Sequence, residues 1–343
     1  NNNLTSVTDA RTNTSQMFYE NPSHPTFMTR MVDALGQTSF YTPTAEGLLD
    51  MQQGIDGTLT DYTYNNFGQV TEMRVGPGTA SEIVTFYSYD AVGRLQTTTQ
   101  HSPSGAFDDI TDLTVYDNAD RVVATIQNWQ GNDPINWQAN CDQSTTTERD
   151  FDICNTIVYD DAGRVFRTTN TLGQTNLNFY DAAGRPELTV SNYDGTSYNP
   201  NDPTELCTWD APSGPDPENN LCSATIYDEF SRVVATRDPL GRWSRTEYDS
   251  LGRVKGTIAH SVSVTQLSGC TYGSGPVDQD LCTENVYDAV GNLIQTKDPA
   301  GRETHMFYDA LNRMEGQVAN ATGTINSIDD FGLCFRSEEH TSE

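Results

Sequence analysis

The sequence predicts an all-β protein whose strands form an antiparallel array of repeats. A Tyr-Asp pair recurs eight times, and recurrence with a fixed period is the signature of a repeat architecture. Three of the steps between consecutive copies are 21 residues long, and each holds two β-prone runs divided by turn-forming residues. The eight pairs begin at Tyr89, Tyr116, Tyr159, Tyr180, Tyr227, Tyr248, Tyr287 and Tyr308.

Each Tyr-Asp pair is predicted to begin a left-handed turn. The fourth residue past Tyr is Gly in five copies, and Asp and Asn, which also tolerate positive φ, fill two others. Ser231 fits this position least well. The aspartate can accept hydrogen bonds from backbone N–H groups of the turn. The predicted repeat scaffold therefore includes Tyr89, Asp90, Gly93, Arg94, Tyr159, Asp160, Gly163, Arg164, Tyr180, Asp181, Tyr227, Asp228, Tyr248, Asp249, Gly252, Arg253, Tyr287, Asp288, Tyr308 and Asp309.

A second turn connects the two strands within each 21-residue copy. In the copy that begins at Tyr159, the predicted strands are 164–169 and 174–180. The connection reads Asp-Pro-Leu-Gly at 238–241 and Asp-Pro-Ala-Gly at 298–301, where Pro at the second position and Gly at the fourth suit a type I turn. Weaker or decayed copies of the two turns are expected at 33–36, 64–68, 170–173 and 328–332.

The repeats divide the chain into a degenerate and a regular part. We expect degenerate repeats at 1–60 and the main array at 61–335, with insertions at about 129–154, 192–222 and 260–282. Residues 336–343 match the translation of a common sequencing-adapter stretch, so we exclude them from the fold. The chain begins without Met, and we expect it to be an internal piece of a longer protein.

Arginine follows seven of the eight tyrosines at the fifth position, and Asn292 takes its place in the other copy. Two interpretations are open. The arginine can be structural, pairing with the turn aspartate or stacking on a repeated tyrosine so that one copy is fixed to the next. Alternatively, a ladder of arginines can contact an anionic ligand. The structural interpretation is favoured because these arginines lie among an excess of acids.

The charge of the chain excludes several classes of partner. The formal net charge is −29, from 48 acidic and 19 basic residues, so that nucleic-acid backbones and anionic membrane surfaces are disfavoured. No apolar run approaches the roughly 20 residues that a membrane-spanning helix needs. Strong net charge promotes solubility and is consistent with an extracellular setting.

Six of the seven cysteines flank the three insertions. Cys154, Cys222 and Cys282 each lie five residues before a repeated Tyr. Metal binding is the alternative, but the chain has no Cys-x-x-Cys spacing. We therefore predict three disulfides and an oxidising compartment, extracellular or periplasmic, with Cys334 left over. The predicted pairs are Cys141 with Cys154, Cys207 with Cys222, and Cys270 with Cys282.

The repeated motif resembles that of the Rhs/YD-repeat family, the β-repeat module of bacterial Rhs proteins, toxin-complex cocoon subunits and animal teneurins. The shared pattern is Tyr-Asp-x-x-Gly-Arg, followed in the 21-residue copies by Asp-Pro-x-Gly and the next Tyr-Asp. It covers residues 60–335 well and 1–60 in degraded form. The resemblance implies a spiralling antiparallel sheet that forms part of a hollow shell. Many relatives carry a self-cleaving region and a variable toxin domain after the repeats.

The insertions hold the candidate recognition residues. Trp129, Trp137 and Trp209 lie beside Asn and Asp, so they can stack on sugar rings, or they can cover the sheet. The acidic pairs at 278–280 and 194–195 do not complete a calcium-binding loop. No catalytic or phosphate-binding motif is present, so we predict neither an enzyme nor a cofactor.

Two functions are consistent with these features. The first is a shell segment of a secreted or cell-surface protein that contacts other repeats of the same chain and encloses a toxin domain. The second is an extracellular adhesion module that binds glycans or proteins through its inserted loops. The first is favoured by the family resemblance.

Overall fold

The fold is all-β, as the repeats predict. The computed structural model describes residues 3–105, 108–131, 134–139, 141, 150–209, 218–262, 265–273 and 278–321. Cys334, the decayed turn expected at 328–332 and residues 336–343 lie outside these ranges. Among the described residues there is no α-helix, and none of the helical segments is long and apolar enough to cross a membrane. The chain divides into two compact units, residues 1–174 and 175–343.

In its described residues the first unit contains thirteen strands, and each strand pairs antiparallel with the next along the chain. The strands are β1 Ser6–Thr8, β2 Thr14–Phe18, β3 Arg30–Val32, β4 Thr38–Pro43, β5 Leu49–Gln53, β6 Leu59–Tyr64, β7 Val70–Val75, β8 Ile83–Tyr89, β9 Leu95–His101, β10 Ile110–Tyr116, β11 Val122–Gln127, β12 Ile153–Tyr159 and β13 Val165–Thr169.

The described part of the second unit contains ten strands with the same neighbour-to-neighbour antiparallel pairing. The strands are β14 Thr175–Tyr180, β15 Pro186–Ser191, β16 Leu221–Tyr227, β17 Val233–Arg237, β18 Trp243–Tyr248, β19 Val254–Ser261, β20 Leu281–Tyr287, β21 Leu293–Lys297, β22 Glu303–Tyr308 and β23 Met314–Ala321.

Each Tyr-Asp turn closes a hairpin with a β-bulge. The register shifts at the repeated tyrosine, for example between Val158 and Tyr159, because one extra residue is accommodated there. That residue adopts the left-handed conformation, with φ of 80° at Gly163 and 62° at Ser231. A type I turn followed by a left-handed residue is a common hairpin connection. The predicted strands 164–169 and 174–180 are each one residue shorter because Arg164 and Gln174 belong to the turns.

Consecutive connections alternate between the two edges of an antiparallel array. All eight Tyr-Asp turns therefore lie on one edge of their unit, which we call the Tyr-Asp edge. The opposite edge carries the other turns, including 170–174, 238–242 and 298–302. It also carries all three insertions, which connect β11 to β12, β15 to β16 and β19 to β20. An insertion can consequently vary without interrupting the Tyr-Asp edge.

One face of the sheet is buried in short rows of apolar residues beneath the insertions. Leu113 pairs across the strands with Ile126, which pairs with Cys154, and all three side chains are buried. Leu177, Val190 and Cys222 form the matching buried row in the second unit. The second cysteine of each insertion thus belongs to the sheet, at the end of a row that the insertion covers.

Candidate functional site

Each turn aspartate holds its turn closed through both carboxylate oxygens. In the copy at Tyr159, Asp160 Oδ1 accepts hydrogen bonds from the backbone N–H groups of Ala162 at 3.0 Å and Arg164 at 2.8 Å. Asp160 Oδ2 accepts a hydrogen bond from Arg164 Nε at 2.7 Å. The six other Tyr-Asp turns that have Arg at this position show the same three bonds. The aspartate and arginine therefore stabilise their own turn first.

The same arginines also contact the next copy along the Tyr-Asp edge. The Arg94 guanidinium lies 4.6 Å from the centre of the Tyr116 ring, within range of a cation–π interaction. Its Nη1 also donates to the Asp117 carbonyl at 2.9 Å. The arginine is thus fixed to its own turn and to the following one, as the structural interpretation predicts. The further pairs that stack in this way are Arg121 with Tyr159, Arg185 with Tyr227, Arg232 with Tyr248, and Arg253 with Tyr287, at 4.3–4.5 Å.

The repeated tyrosines add a third contact between copies. The Tyr159 hydroxyl donates at 2.8 Å to the carbonyl of Val122, the residue directly after the arginine of the preceding copy. This bond joins residues on either side of the first insertion, so the Tyr-Asp edge is continuous past it. Equivalent bonds join Tyr64 to Leu49, Tyr89 to Val70, Tyr116 to Leu95, Tyr248 to Val233, Tyr287 to Val254 and Tyr308 to Leu293.

The three copies without glycine at the fourth position use that residue as an acceptor. Arg94 Nη1 donates to Asp120 Oδ1 at 2.6 Å, and Arg185 Nη1 donates to Ser231 Oγ at 3.0 Å. Asn292 Nδ2 donates to Asn312 Oδ1 at 3.1 Å in the same geometry. Ser231, the poorest match by backbone preference, therefore makes an additional bond to the preceding copy. The sequence signal that reveals this role is the restriction of the non-glycine residues to side chains with an oxygen.

The opposite edge reuses the aspartate–arginine pair, which we did not predict. Arg242 Nε donates to Asp238 Oδ2 at 2.7 Å, and Arg302 Nε donates to Asp298 Oδ2 at 2.6 Å. The available signal was the Asp-x-x-Gly-Arg spacing shared by both turns. Uncharged versions also occur with the bond reversed, as where Asn170 Nδ2 donates to Gln174 Oε1 at 2.9 Å.

The turn aspartates titrate below their ordinary pKa of 3.8. For Asp117 and Asp181, the main cause is the hydrogen bond from the backbone N–H of the arginine four residues on, followed by the bond from its side chain. These bonds favour the charged carboxylate. The pKa is also lowered for Asp90, Asp160, Asp228, Asp238, Asp249, Asp288, Asp298 and Asp309.

We expect the array to lose stability in acid. Because the folded-state pKa of each turn aspartate lies below its unfolded value, the stabilisation is fully present above about pH 5 and is lost as the pH falls through the folded pKa. Urea unfolding between pH 7 and pH 3 should show this decline. As an internal control, protection against amide exchange, relative to the intrinsic rate at each pH, should fall more at pH 3 in the Asp160–Arg164 turn than in the uncharged Asn170–Gln174 turn. Equal change in both turns would contradict the assignment.

Asn292 offers a test of the contact between copies. Asn292→Arg restores the residue that the other seven copies carry, and its guanidinium can pair with Asp288 and stack on Tyr308. We expect a gain of about 0.5–1 kcal/mol in the free energy of unfolding, typical of an exposed cation–π contact. Urea denaturation measures this gain, and Arg253→Asn is the matched reverse change. A loss of stability in Asn292→Arg would show that the arginine contact between copies does not stabilise the array.

The three insertions share one base, although their sequences differ. The structure contains disulfides between Cys141 and Cys154, Cys207 and Cys222, and Cys270 and Cys282, with Cα–Cα distances of 5.5, 5.6 and 6.1 Å. At each base, two residues with positive φ face each other and share a backbone hydrogen bond of 3.0–3.1 Å. These pairs are Asn128 with Asp152, Asn192 with Asn220, and His260 with Asp280.

The base also has a side-chain signature that sequence reasoning missed. The residue two positions before the second cysteine is Asp152, Asn220 or Asp280, and its Oδ1 accepts a backbone N–H from the start of the insertion at 2.8–3.2 Å. The pattern Asp/Asn, then Ile/Leu, then Cys is visible three times in the sequence. It marks the point at which each insertion returns to the sheet.

Each insertion folds back over the buried face through a short 3-10 helix, and these helices are Pro134–Ala139, Pro203–Leu206 and Leu267–Gly269. Leu267 is 3% exposed and packs with Ile258 and Cys282, while Leu206 is also 3% exposed. The first cysteine follows the helix directly in the second and third insertions, which brings it over the sheet where its partner lies.

The contacts of the three candidate tryptophans favour the cover interpretation over sugar stacking. Trp129 is only 9% exposed and lies in a buried cluster with Leu113, Ile126 and Cys154, against which Trp137 also packs. The Trp209 ring lies 4.3 Å from the Arg237 guanidinium, and its Nε1 donates to the Cys222 carbonyl at 3.3 Å. Each of the three tryptophans therefore has protein partners of its own.

The aromatic residue two positions after Cys207 or Cys270 packs on the neighbouring turn of the opposite edge. Tyr272 lies 4.5 Å from Lys297 Nζ, as Trp209 lies beside Arg237, and both cations directly precede an Asp-Pro turn. Gly301 of that turn faces Tyr272 so closely that an added Cβ would lie 3.1 Å from Tyr272 Cβ. The close approach requires glycine at this position.

Alanine substitution at two glycines separates backbone strain from this close approach. Gly301 and Gly173 have φ of 80° and 76°, but a Cβ on Gly173 would meet nothing within 4 Å. Left-handed backbone costs a non-glycine residue about 1–2 kcal/mol. We expect Gly173→Ala to lose about that amount and Gly301→Ala to lose about 1 kcal/mol more from overpacking. Equal losses on urea denaturation would show that Tyr272 does not constrain the turn.

The acidic segments considered for calcium, 278–280 and 194–195, have carboxylates that accept backbone hydrogen bonds. Asp280 Oδ1 accepts the Val262 N–H at 2.8 Å, and Asp194 Oδ1 accepts the Thr196 N–H at 2.9 Å. Within the part of the chain that the structure describes, no group of three potential metal ligands occurs.

Comparison with known proteins identifies the repeat. Residues 287–325 match the RHS Repeat family. The chain is similar to the crystal structure of TcdB2-TccC3-Cdc42, to a Photorhabdus luminescens Tc holotoxin pore, and to TcdB2-TccC3 without its hypervariable C-terminal region. Each shares 13% identity, with TM-scores of 0.41, 0.41 and 0.42.

The extent of these matches is unequal between the chains. The similarity covers 89%, 89% and 91% of this chain but only 15%, 15% and 16% of the three structures. The chain therefore spans less than a fifth of their length. No curated protein matches the sequence significantly. The RHS match covers one complete Tyr-Asp unit, and seven further copies begin with the same pair, so the repeat of this chain is similar to the RHS, or YD, repeat.

Proposed function

We propose that the chain is a wall segment of a secreted or cell-surface protein, and that this wall encloses a C-terminal toxin domain. The structural part of this role is supported by the RHS-repeat match. The observation that carries it is the ladder along the Tyr-Asp edge, in which each arginine contacts its own turn and the following one. The repeated polar side chains thus hold the sheet together, which is what a wall requires.

The proposed cellular setting rests on the three disulfides at the bases of the insertions, which we call the staples. Three disulfides in one chain favour an oxidising environment outside the cytosol. The net charge of −29 keeps an exposed wall soluble. An extracellular position is therefore part of the proposal.

Protease protection in the longer protein tests the enclosure. We expect a domain that follows the repeats to resist protease while the array is intact and to be cut after the array is opened by reduction together with Gly301→Ala. The isolated downstream domain, expressed without the repeats, is the control for its intrinsic sensitivity. Cleavage at the same rate with the array intact and opened would exclude enclosure.

Adhesion through the insertions is the second candidate. It is favoured by the shared base, which holds three loops of different sequence. The chain itself provides the control, because a five-residue turn such as 238–242 makes the same kind of connection. Replacing residues 128–152 by Asp-Pro-Leu-Gly-Arg should abolish binding to a glycan array or cell surface if the first loop is adhesive. Unchanged binding would exclude that loop.

A further inference from the structure

The hairpins that precede the insertions are equivalent, and one of them departs from the others in a way that the repeat does not require. Three positions before the repeated Tyr, β10 carries Leu113 and β14 carries Leu177, both buried and paired with Ile126 and Val190. In β18 the same position is Arg245, which pairs with Ile258 and, on its other side, with Ala235. An arginine thus replaces leucine between two buried apolar neighbours.

The position directly before Tyr changes in the same strand. It is Val115 in β10 and Phe179 in β14, but Glu247 in β18. Glu247 has partners of its own, since its Oε1 accepts the backbone N–H of Leu267 in the third insertion and its Oε2 lies 3.6 Å from Lys255 Nζ. Glu247 therefore supports the insertion and is not the counter-ion of Arg245.

Arg245 itself lacks a carboxylate partner. Its Nε donates to Ser261 Oγ at 3.2 Å, and its guanidinium lies 5.3 Å from the Trp243 ring. Among the described residues, no carboxylate lies within ion-pair distance of Arg245. The chain has 48 acids and 19 bases, and all six turn arginines of the second unit that carry the Asp-x-x-x-Arg spacing are paired with their aspartate.

A cavity of about 540 Å³ opens beside Arg245 on this face. Arg232 and Lys255 line it as well, while Asp228, the other acid in its wall, is already bonded to Arg232 and to backbone N–H groups. Thr265, Gln266 and Ser268 of the third insertion add hydroxyl and amide groups. Its volume is within the range of about 300–1,000 Å³ typical of small-ligand sites.

We propose that this cavity binds a small hydroxylated carboxylate of the sugar-acid class. The carboxylate would receive charge-assisted hydrogen bonds from Arg245, which presents a planar fork of donors suited to it. The hydroxyl and amide groups of the wall would bond the ligand hydroxyls. The strongly negative chain opposes anions at long range, but at 0.15 M salt this field is screened beyond about 8 Å.

The test is a ligand-observed NMR titration of the whole chain at about 0.15 M salt with galacturonate, propionate and galactose. We expect galacturonate to bind with a Kd on the order of 1 mM, propionate more weakly, and galactose at least about tenfold more weakly than galacturonate because it lacks the charge. Propionate binding as tightly as galacturonate would overturn the sugar-acid assignment. Galactose binding as tightly, or no galacturonate binding up to about 20 mM, would overturn the site itself.

Variants locate the binding. Arg245→Leu restores the residue found in β10 and β14, so it should keep the fold while weakening galacturonate binding at least about tenfold. Arg245→Gln keeps a donor toward Ser261 and serves if the leucine variant does not fold. Arg11→Gln removes the same charge from an exposed site outside the cavity and should leave the Kd unchanged. Equal affinity in the Arg245 variants and the unaltered chain would refute the proposal.

Discussion

Trp129→Ala should destabilise the first unit by about 3–5 kcal/mol, the cost typical of removing a large buried aromatic side chain. Trp129 is 9% exposed and covers the row of Leu113, Ile126 and Cys154, so truncation opens a cavity directly over the sheet. Its backbone N–H donates to the Thr111 carbonyl at 2.6 Å, which holds the start of the insertion in place and limits collapse into the cavity. Urea denaturation followed by circular dichroism measures the loss.

A second substitution at the same position separates packing from hydrogen bonding. Trp129 Nε1 has no hydrogen-bond partner among the described residues. Trp129→Phe keeps an aromatic cover and removes a buried, unpaired donor, so it should cost far less than Trp129→Ala. Phe67→Ala, at a turn tip where the side chain is 88% exposed, should change stability by no more than about 0.5 kcal/mol.

The location of the effect distinguishes this cover role from the alternatives. In a repeat array each unit contacts mainly its neighbours, so the loss should appear as faster amide exchange in β10, β11 and β12 before it appears elsewhere in the unit. A stable Trp129→Ala variant that loses only ligand binding would favour the sugar-stacking hypothesis over the cover role. An equal loss in Trp129→Phe and Trp129→Ala would show that the indole shape itself, rather than apolar volume, is required.

The turns could be predicted from sequence because the information is local. Asp160, Gly163 and Arg164 make their bonds within a span of five residues, so their spacing is sufficient to predict the left-handed turn and its aspartate. The strand bounds differ from the prediction by one residue at 164 and 174 for the same reason, since those residues belong to the turns. Local chemistry therefore predicts most of the Tyr-Asp edge.

Contacts between copies were only partly predictable. The stacking of arginine on a repeated tyrosine was anticipated as a type of contact, but the acceptor role of Ser231 depends on Arg185, 46 residues earlier. That pairing exists only because the second insertion leaves the Tyr-Asp edge uninterrupted. The packing of Trp129 likewise depends on how the first insertion returns over the sheet, which its irregular sequence does not indicate.

The departure at Arg245 was not recognised from sequence because its meaning depends on register. Spacing from Tyr248 aligns Arg245 with Leu113 and Leu177, but only the strand pairing shows that this position lies beside buried Ile258. The repeat then becomes a reference against which an individual copy can be compared. In a periodic fold, such departures on the buried face are the places where a specific function can be distinguished from scaffold.

Removal of one staple is the second large effect that we expect. The double variant Cys270→Ala with Cys282→Ala should lose about 3 kcal/mol, the contribution of loop-closure entropy for a disulfide that closes a loop of this size. The loss should extend into the sheet because Cys282 is 1% exposed and packs with Leu267 on Ile258. Urea denaturation without reductant measures it.

Comparison among the three staples tests whether entropy or packing dominates. The sequence separations are 13, 15 and 12 residues, so loop length alone predicts differences of only about 0.2 kcal/mol between them. A larger spread in the stability losses of the three double variants would report how each insertion packs on the buried residues beneath it. That packing involves Trp129 in the first insertion and Leu267 in the third. Reductant should destabilise the unaltered chain and should have a smaller effect on the double variant. A loss well under 1 kcal/mol would mean that the third insertion moves independently of the sheet and does not protect Ile258.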